Sequence, residues 1–243
     1  MFSYSSWLTT WRSLTKDSTS DNDTLGITLF NEAYRRVCSF RSWGFLEGTA
    51  SLTTVASQQF YNLPFDFKKL QSVSKTIGTT KYIPRKCPDK ITWDRLNSSS
   101  QTSDIPEYYF IFNSQIGFYP KPSTASQTIT VDYKKRVTAL SVVDYTTGTI
   151  TATNDSTTIT GSGTTFTALM VGRWIKIING TDDWYRITAY TSATAITIAN
   201  KYNGATTASL SYIIGEIQLI PEDLQMLTLY EAANIYWAVI CEN

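Results

Sequence analysis

The spacing of hydrophobic and polar positions changes several times along the chain. Near the N-terminus Trp7, Leu8, Trp11 and Leu14 share one helical face behind a Ser5 cap. A polar run over 16–22 reads as a loop. Asp23 or Thr24 then caps a stronger helix over 25–40, with Ile27, Phe30, Tyr34, Val37 and Cys38 at helical spacing and Gly44 closing the segment. From Thr49 the period falls to two. Residues 51–55 and 59–63 predict a hairpin around Ala56-Ser57-Gln58, and 65–77 with 81–83 a second one turning at Gly78. Asp89 caps a short helix through Leu96 whose apolar residues are Ile91 and Trp93.

Residues 105–133 carry the strongest strand pattern and predict a three-strand meander. In the third run Ile129, Val131 and Tyr133 face one way and Thr128, Thr130 and Asp132 the other. The first two runs are apolar on both faces, with Tyr109 and Ile111 opposite Tyr108, Phe110 and Phe112. Such strands need cover on both sides, from their own helices or from a neighbouring subunit. Gly117 predicts a bulge, and Pro120 and Pro122 end the run.

After Asp144 the chain turns Thr/Ser/Gly-rich. Short β runs follow at 149–153, 157–160, 173–178, 184–189, 195–199 and 210–214, separated by turn signals such as Gly161-Ser162-Gly163, Asn179-Gly180 and Asn203-Gly204. This spacing predicts a small all-β barrel or sandwich. Pro221 then opens a last helix carrying Leu224, Leu227, Tyr230, Ile235, Val239 and Ile240, apolar over most of its circumference and expected to be buried. The expected fold class is therefore α+β: a helical host with short antiparallel meanders, residues 1–144 plus 215–243, and an inserted all-β module, residues 145–214.

Composition narrows the function more than the fold. The 243 residues contain 42% hydrophobic and 14% aromatic residues, enough for a real core. With 21 basic and 20 acidic residues, the global field favours neither nucleic acid nor membrane. The absence of histidine removes Ser-His-Asp and Cys-His nucleophile systems and His-ligated zinc. Cys38, Cys87 and Cys241 form no C-x-x-C pair and read as reduced thiols. The N-terminus has no signal-peptide pattern and no run is long enough to span a bilayer, so a soluble protein made inside the cell is expected, with its four N-x-S/T sites chance matches.

Chemical motifs are sparse. Ser13-x-x-Lys16 and Ser72-x-x-Lys75 match a nucleophile–lysine spacing without the rest of that motif set. Gly161-Ser-Gly-Thr-Thr lacks the Lys-Ser/Thr ending of a phosphate loop and reads as a turn. Asp182-Asp183 reads as a solvated hairpin tip, and Asp17, Asp21 and Asp23 as helix-capping acids rather than a calcium loop. No enzyme and no cofactor are expected. The stretch 66–95 holds eight cations against three acids, with Phe65, Phe67, Tyr82 and Trp93 interleaved. It is read either as the solvated face of a sheet or as a surface facing nucleic acid. Lys134-Lys135-Arg136 either extends that patch or faces an acidic neighbour.

Several pieces, taken in order, resemble the head-to-tail adaptor (connector, head-completion) proteins of tailed bacteriophages. They are Leu29-Phe-Asn-Glu-Ala33 followed by Trp43; Tyr61-Asn-Leu-Pro64-Phe-Asp-Phe67; Ile91-Thr-Trp-Asp94; Pro106-Glu-Tyr-Tyr109 leading to Ile116-Gly-Phe-Tyr-Pro120-Lys-Pro122; Ile129-Thr-Val-Asp-Tyr133; Leu140-Ser-Val-Val-Asp144; and Ile220-Pro-Glu-Asp-Leu224. The Thr-rich module is similar to β modules recurring in phage structural proteins.

This resemblance implies a non-enzymatic virion protein of the neck, made in the host bacterial cytoplasm. It implies a ring of about twelve copies with cyclic symmetry, seated between portal and tail or neck proteins around a channel through which DNA is ejected. On that reading Tyr108, Tyr109, Phe110, Phe112, Phe118, Tyr119, Tyr230 and Tyr236 serve subunit or portal contacts. Lys68, Lys69, Lys81, Arg85, Lys86 and Lys90 face the channel and touch passing DNA without sequence preference. The alternative is a carbohydrate- or receptor-binding tail or baseplate protein that stacks sugars on Trp174, Trp184, Tyr185 and Tyr190.

Overall fold

Thr19, rather than Asp23 or Thr24, starts the second helix. In the computed structural model, which describes residues 3–141, 143–180 and 183–240, α1 (Tyr4–Thr15) and α2 (Ser20–Phe40) are joined by a short polar link. The Thr19 hydroxyl accepts from Asn22 N at 3.3 Å, the usual N-cap bond. Asn22 is itself buried, and its Nδ2 donates to Thr15 Oγ1 at 2.9 Å and to Asp17 O at 2.8 Å. These bonds extend α2 backwards over residues 20–22, the last three of the expected loop. Ser3 occupies the cap position of α1, and its hydroxyl donates to Asp144 Oδ2 at 2.6 Å.

The chain divides into two compact units, residues 42–138 and residues 1–41 with 139–243. The first is a β-sandwich. Its strands are β1 (Glu47–Thr53), β2 (Phe60–Asn62), β3 (Phe67–Ile77), β4 (Thr80–Tyr82) and β5 (Arg85–Lys86). After α3 (Lys90–Leu96) come β6 (Tyr108–Phe112), β7 (Gln115–Tyr119) and β8 (Thr128–Lys135). One sheet has the order β1-β8-β3-β4 and the other β2-β7-β6-β5. The expected β3–β4 hairpin forms around Gly78, at φ +59°, and β6–β7 turns through Asn113-Ser114, both at positive φ.

Two other expected pairings do not form. β1 and β2 are not a hairpin: β1 pairs with β8 and β2 with β7. Thr54 makes the switch between sheets, its N–H donating to Gln127 O at 2.7 Å and its hydroxyl to Thr124 O at 2.9 Å. Nor do β6, β7 and β8 make a meander, because the chain changes sheet again between β7 and β8. Tyr61, Leu63, Ile116 and Phe118 from one sheet meet Val73, Ile129 and Val131 from the other, and Tyr109 and Ile111 join that core. On the far side Tyr108 and Phe110 lie against Trp93 of α3, with Cys87 and Tyr119. The two-sided apolar character of β6 is thus satisfied by the chain's own α3. Gly117 marks close packing and no bulge, since its pairing runs without a register shift and a Cβ there would lie 2.7 Å from Phe60 Cε1.

In the other unit the regularly spaced runs close into a six-stranded barrel: β9 (Thr149–Ala152), β10 (Thr158–Ser162), β11 (Trp174–Ile178), β12 (Trp184–Ser192), β13 (Ala195–Ile198) and β14 (Thr207–Gly215), in the order β10-β13-β12-β11-β14-β9. Closure removes the open edges that so Thr-rich a sheet would otherwise expose. Alternate residues fill it: Ile150, Ile159, Ile175, Ile177, Ile187, Ile196, Ile198 and Ile214, plugged by Phe166, Tyr202 and Tyr212. Gly161 lies inside β10, so Gly161-Ser162-Gly163 follows the strand rather than forming a two-residue hairpin turn.

The last helix, α4 (Glu222–Ile240), lies with α1 and α2 around Trp7, Trp11, Phe30, Ala33, Leu229, Ala232 and Ala233. Asn31 pins residue 140 to this bundle through two bonds of 2.9 Å, and the Tyr34 hydroxyl accepts from Leu219 N at 2.8 Å.

The expected fold class is overturned. The described residues form fourteen strands in three sheets against four α-helices, so the chain is mostly β and no helical host carries a β module. The physical reason lies in residues 47–135. Their short runs find partners far along the chain and build two full sheets, where local pattern suggested only small meanders. Val142, Asp182 and Cys241, and the side chains of Val239 and Ile240, lie outside the described residues.

Candidate functional site

The contact and channel residues expected from the sequence lie on the surfaces of the two units. Of the contact candidates on the sandwich, Phe118 is fully buried beside Tyr61, and Tyr119 is buried with its hydroxyl donating to Gln101 Oε1 at 3.0 Å. Tyr109 turns to the inter-sheet core, and Phe110 stacks on Trp93 with ring centroids 5.4 Å apart and an interplanar angle of 21°. Phe112, 55% exposed, is the most open of them. Tyr108 and Arg85, neighbours across β5 and β6, line a shallow cleft of about 310 Å³ together with Tyr82, Ile83, Ile105, Pro106 and Glu107.

The cations do not gather in one place. Lys68, Lys69, Lys81, Arg85, Lys86 and Lys90 are all exposed, but Arg85 and Lys86 belong to a different sheet from the other β-strand lysines. Lys81 pairs across from Thr76, roughly 26 Å along β3 from Lys68 at strand rise. Lys90 is bonded to Asp94 one helical turn on. Lys75 is withdrawn from the surface: it shares the inward face of β3 with Val73, is 1% exposed, and reaches Asp104 Oδ1 at 3.9 Å. Burial lowers the pKa of its ammonium, and Asp104 partly opposes that. Ser72, on the opposite face, donates to Asp132 Oδ2 at 2.7 Å. The Ser72-x-x-Lys75 spacing therefore brings no nucleophile to a lysine. Hydroxyl bonds from Ser72 and Thr49, with Lys81 nearby, hold the Asp132 carboxyl below its ordinary value.

Lys134 and Glu47 meet at 2.8 Å, so part of the basic run at the end of β8 answers an acid of its own sheet. On the barrel, Tyr185 belongs to the core and donates to Asn203 Oδ1 at 2.6 Å. Trp174 and Trp184 are half-buried on the outside, each opposite a cation, Arg186 and Lys176 respectively, while Tyr190 is exposed.

One uncovered apolar stripe lies on α4, a helix whose pattern predicted burial. On α4, Leu224, Leu227, Tyr230 and Trp237 are 37–58% exposed and share one face of the helix. The opposite face, with Gln225, Thr228, Leu229 and Ala232, is buried. Tyr236 turns inward and meets Trp11 edge-on at 5.3 Å. Beside the bare face Glu231 reaches Arg36 of α2 at 3.8 Å. No described helix is long and apolar enough to cross a membrane.

Exposed apolar side chains grouped on one helix face are a feature of surfaces that contact other proteins. No curated protein matches this chain. The family described as SU10 adaptor protein matches residues 3–156, covering α1, α2, the whole sandwich and the first barrel strand. That match spans well over half of the chain, which therefore belongs to the SU10 adaptor protein family, a family of phage adaptors.

Proposed function

We propose that the chain forms a ring of about twelve copies that joins the portal vertex of the capsid to the tail, with the DNA channel running through it. Family membership supports a structural role in the phage particle. The observation that carries the ring is the stripe of Leu224, Leu227, Tyr230 and Trp237, four partly exposed apolar side chains on one face of a helix whose other face is buried. Cyclic rings need such a face, because each copy offers one surface to the next and a different surface to the one before. The scattered cations of the sandwich suit weak, sequence-independent contact, which lets DNA slide.

The test is the combined variant Leu227→Asp, Tyr230→Ser, Trp237→Ser. Because these side chains are exposed in the single chain, its thermal stability should change little, by less than about 1 kcal/mol. Its copy number in purified particles should fall by about tenfold or more, since contact energy is concentrated in such aromatic and aliphatic anchors. Wild-type-level incorporation of the folded variant would remove α4 from the contact.

A further inference from the structure

The two sheets of residues 42–138 expose four edges, and three of them are shielded in ways that discourage pairing with another chain. β2 is three residues long and runs towards Pro64. β5 is two residues long and carries Arg85 and Lys86. On the remaining edge of the other sheet, β4 covers only residues 75–77 of β3. The rest of that edge holds Lys68 and Lys69 and two register shifts against β8. β1 has none of these devices. It is seven residues long, pairs with β8 without a register shift, and contains neither proline nor, after Glu47, any charge.

The ladder fixes where its backbone groups point. Thr54 N–H donates to Gln127 O at 2.7 Å, and on the other side of β8 Arg136 N–H donates to Asp66 O at 2.6 Å. Because antiparallel groups alternate, Gly48, Ala50 and Leu52 bond β8, while Thr49, Ser51 and Thr53 turn their N–H and C=O groups to the open edge. Among the described residues no strand pairs there. The side chains alternate too: Ala50 and Leu52 are half-buried on the core side, and Thr49, Ser51 and Thr53 are exposed.

We propose that β1 is an acceptor edge, on which an extended segment of a different protein of the particle adds as a fifth strand to the sheet β1-β8-β3-β4. The segment bonds the outward backbone groups of Thr49, Ser51 and Thr53. It is alternating in character. Apolar residues beside Ala50 and Leu52 extend the inter-sheet core, and polar residues lie on the Thr/Ser side. Another protein supplies it because, among the described residues of the sandwich, only β1 itself is an unshielded edge of that length. β1 against β1 closes a two-fold pair and stops. This proposal rests on the reading of the chain as a particle component.

Ser51→Pro tests it. The substitution removes an outward N–H that the β8 ladder does not use and obstructs the edge, a position where strands tolerate proline. Full-length wild type, Ser51→Pro and Ser51→Thr are supplied to phage lacking the gene, and particles are purified. Ser51→Pro should fold alone with an unchanged melt, yet its copy number in particles should fall about tenfold or more, while Ser51→Thr is retained. In wild-type particles amide exchange at Thr49, Ser51 and Thr53 should slow by at least about tenfold relative to the isolated chain, a readout that stands even if the proline variant misfolds. Wild type absent from particles would overturn the functional reading together with this one. Wild type present with Ser51 exchanging as fast as in the isolated chain, or Ser51→Pro incorporated normally, would overturn the acceptor edge alone. Two-fold dimers of the isolated chain that Ser51→Pro abolishes would replace the partner by a second copy and overturn the proposal as stated.

Discussion

Trp11→Ala is expected to destabilise the helical bundle by about 4 kcal/mol, the middle of the range for deleting a buried aromatic side chain. The ring has no exposed surface, stacks on Trp7 at 5.8 Å, meets Tyr236 edge-on at 5.3 Å and donates through Nε1 to Asn22 O at 3.2 Å. It lies against Gly26, where a Cβ would come within 2.4 Å of Nε1. All three helices therefore converge on one indole, and no neighbour can fill its volume. Denaturant unfolding followed by far-UV circular dichroism measures the loss. A loss under about 1 kcal/mol would mean that the bundle does not pivot on this residue.

Asp104→Ala is expected to cost about 3 kcal/mol at neutral pH, whereas Lys75→Met should be neutral or slightly stabilising. The asymmetry follows from burial. Removing the acid strands a lysine that is 1% exposed, but replacing the lysine by an apolar chain of similar length removes the charge that needed an answer. Asp104 also binds the turn after β7, accepting from Thr124 N at 2.9 Å and Thr124 Oγ1 at 2.8 Å. Bonds from Ser123 and Thr124, helped by Lys75, hold its carboxyl down from 3.8 to about 2. A depressed carboxyl contributes stability that is complete above its unfolded value and is lost as pH falls through its folded value. The wild type should therefore lose stability between about pH 4 and pH 2, and Asp104→Asn should lack that component. Urea midpoints across this window measure it. Equal acid sensitivity in both proteins would contradict the assignment.

Local chemistry was readable in the sequence where it is local in the structure. The inward Ile129, Val131 and Tyr133 of β8 and the alternating isoleucines of the barrel declared themselves by period two, because each of these strands buries one face. The Asp89 cap of α3 was equally visible, and its carboxylate accepts from Thr92 N at 2.7 Å. Strand pairing was not visible. β1 meets β8 about eighty residues later, and nothing in Glu47–Thr53 announces that partner. The same gap hid the mostly β class, since short runs look like meanders until their distant partners are known. The Thr19 cap sat inside a polar run that reads as loop. Lys75 lies where alternation with Val73 puts it, but a lysine is read as solvated by default. On α4 the apolar residues run almost all the way round, which reads as complete burial, and composition alone does not say which stripe stays bare.

Cryo-electron microscopy of purified particles, with cyclic averaging at the vertex where the tail joins, tests the central claim most directly. The account predicts a closed ring of this chain between portal and tail, its subunits meeting through the face of α4 that carries Leu227, Tyr230 and Trp237. Density that holds no copy of the sandwich and barrel at that vertex, or that holds them singly with the α4 face in solvent, would contradict it.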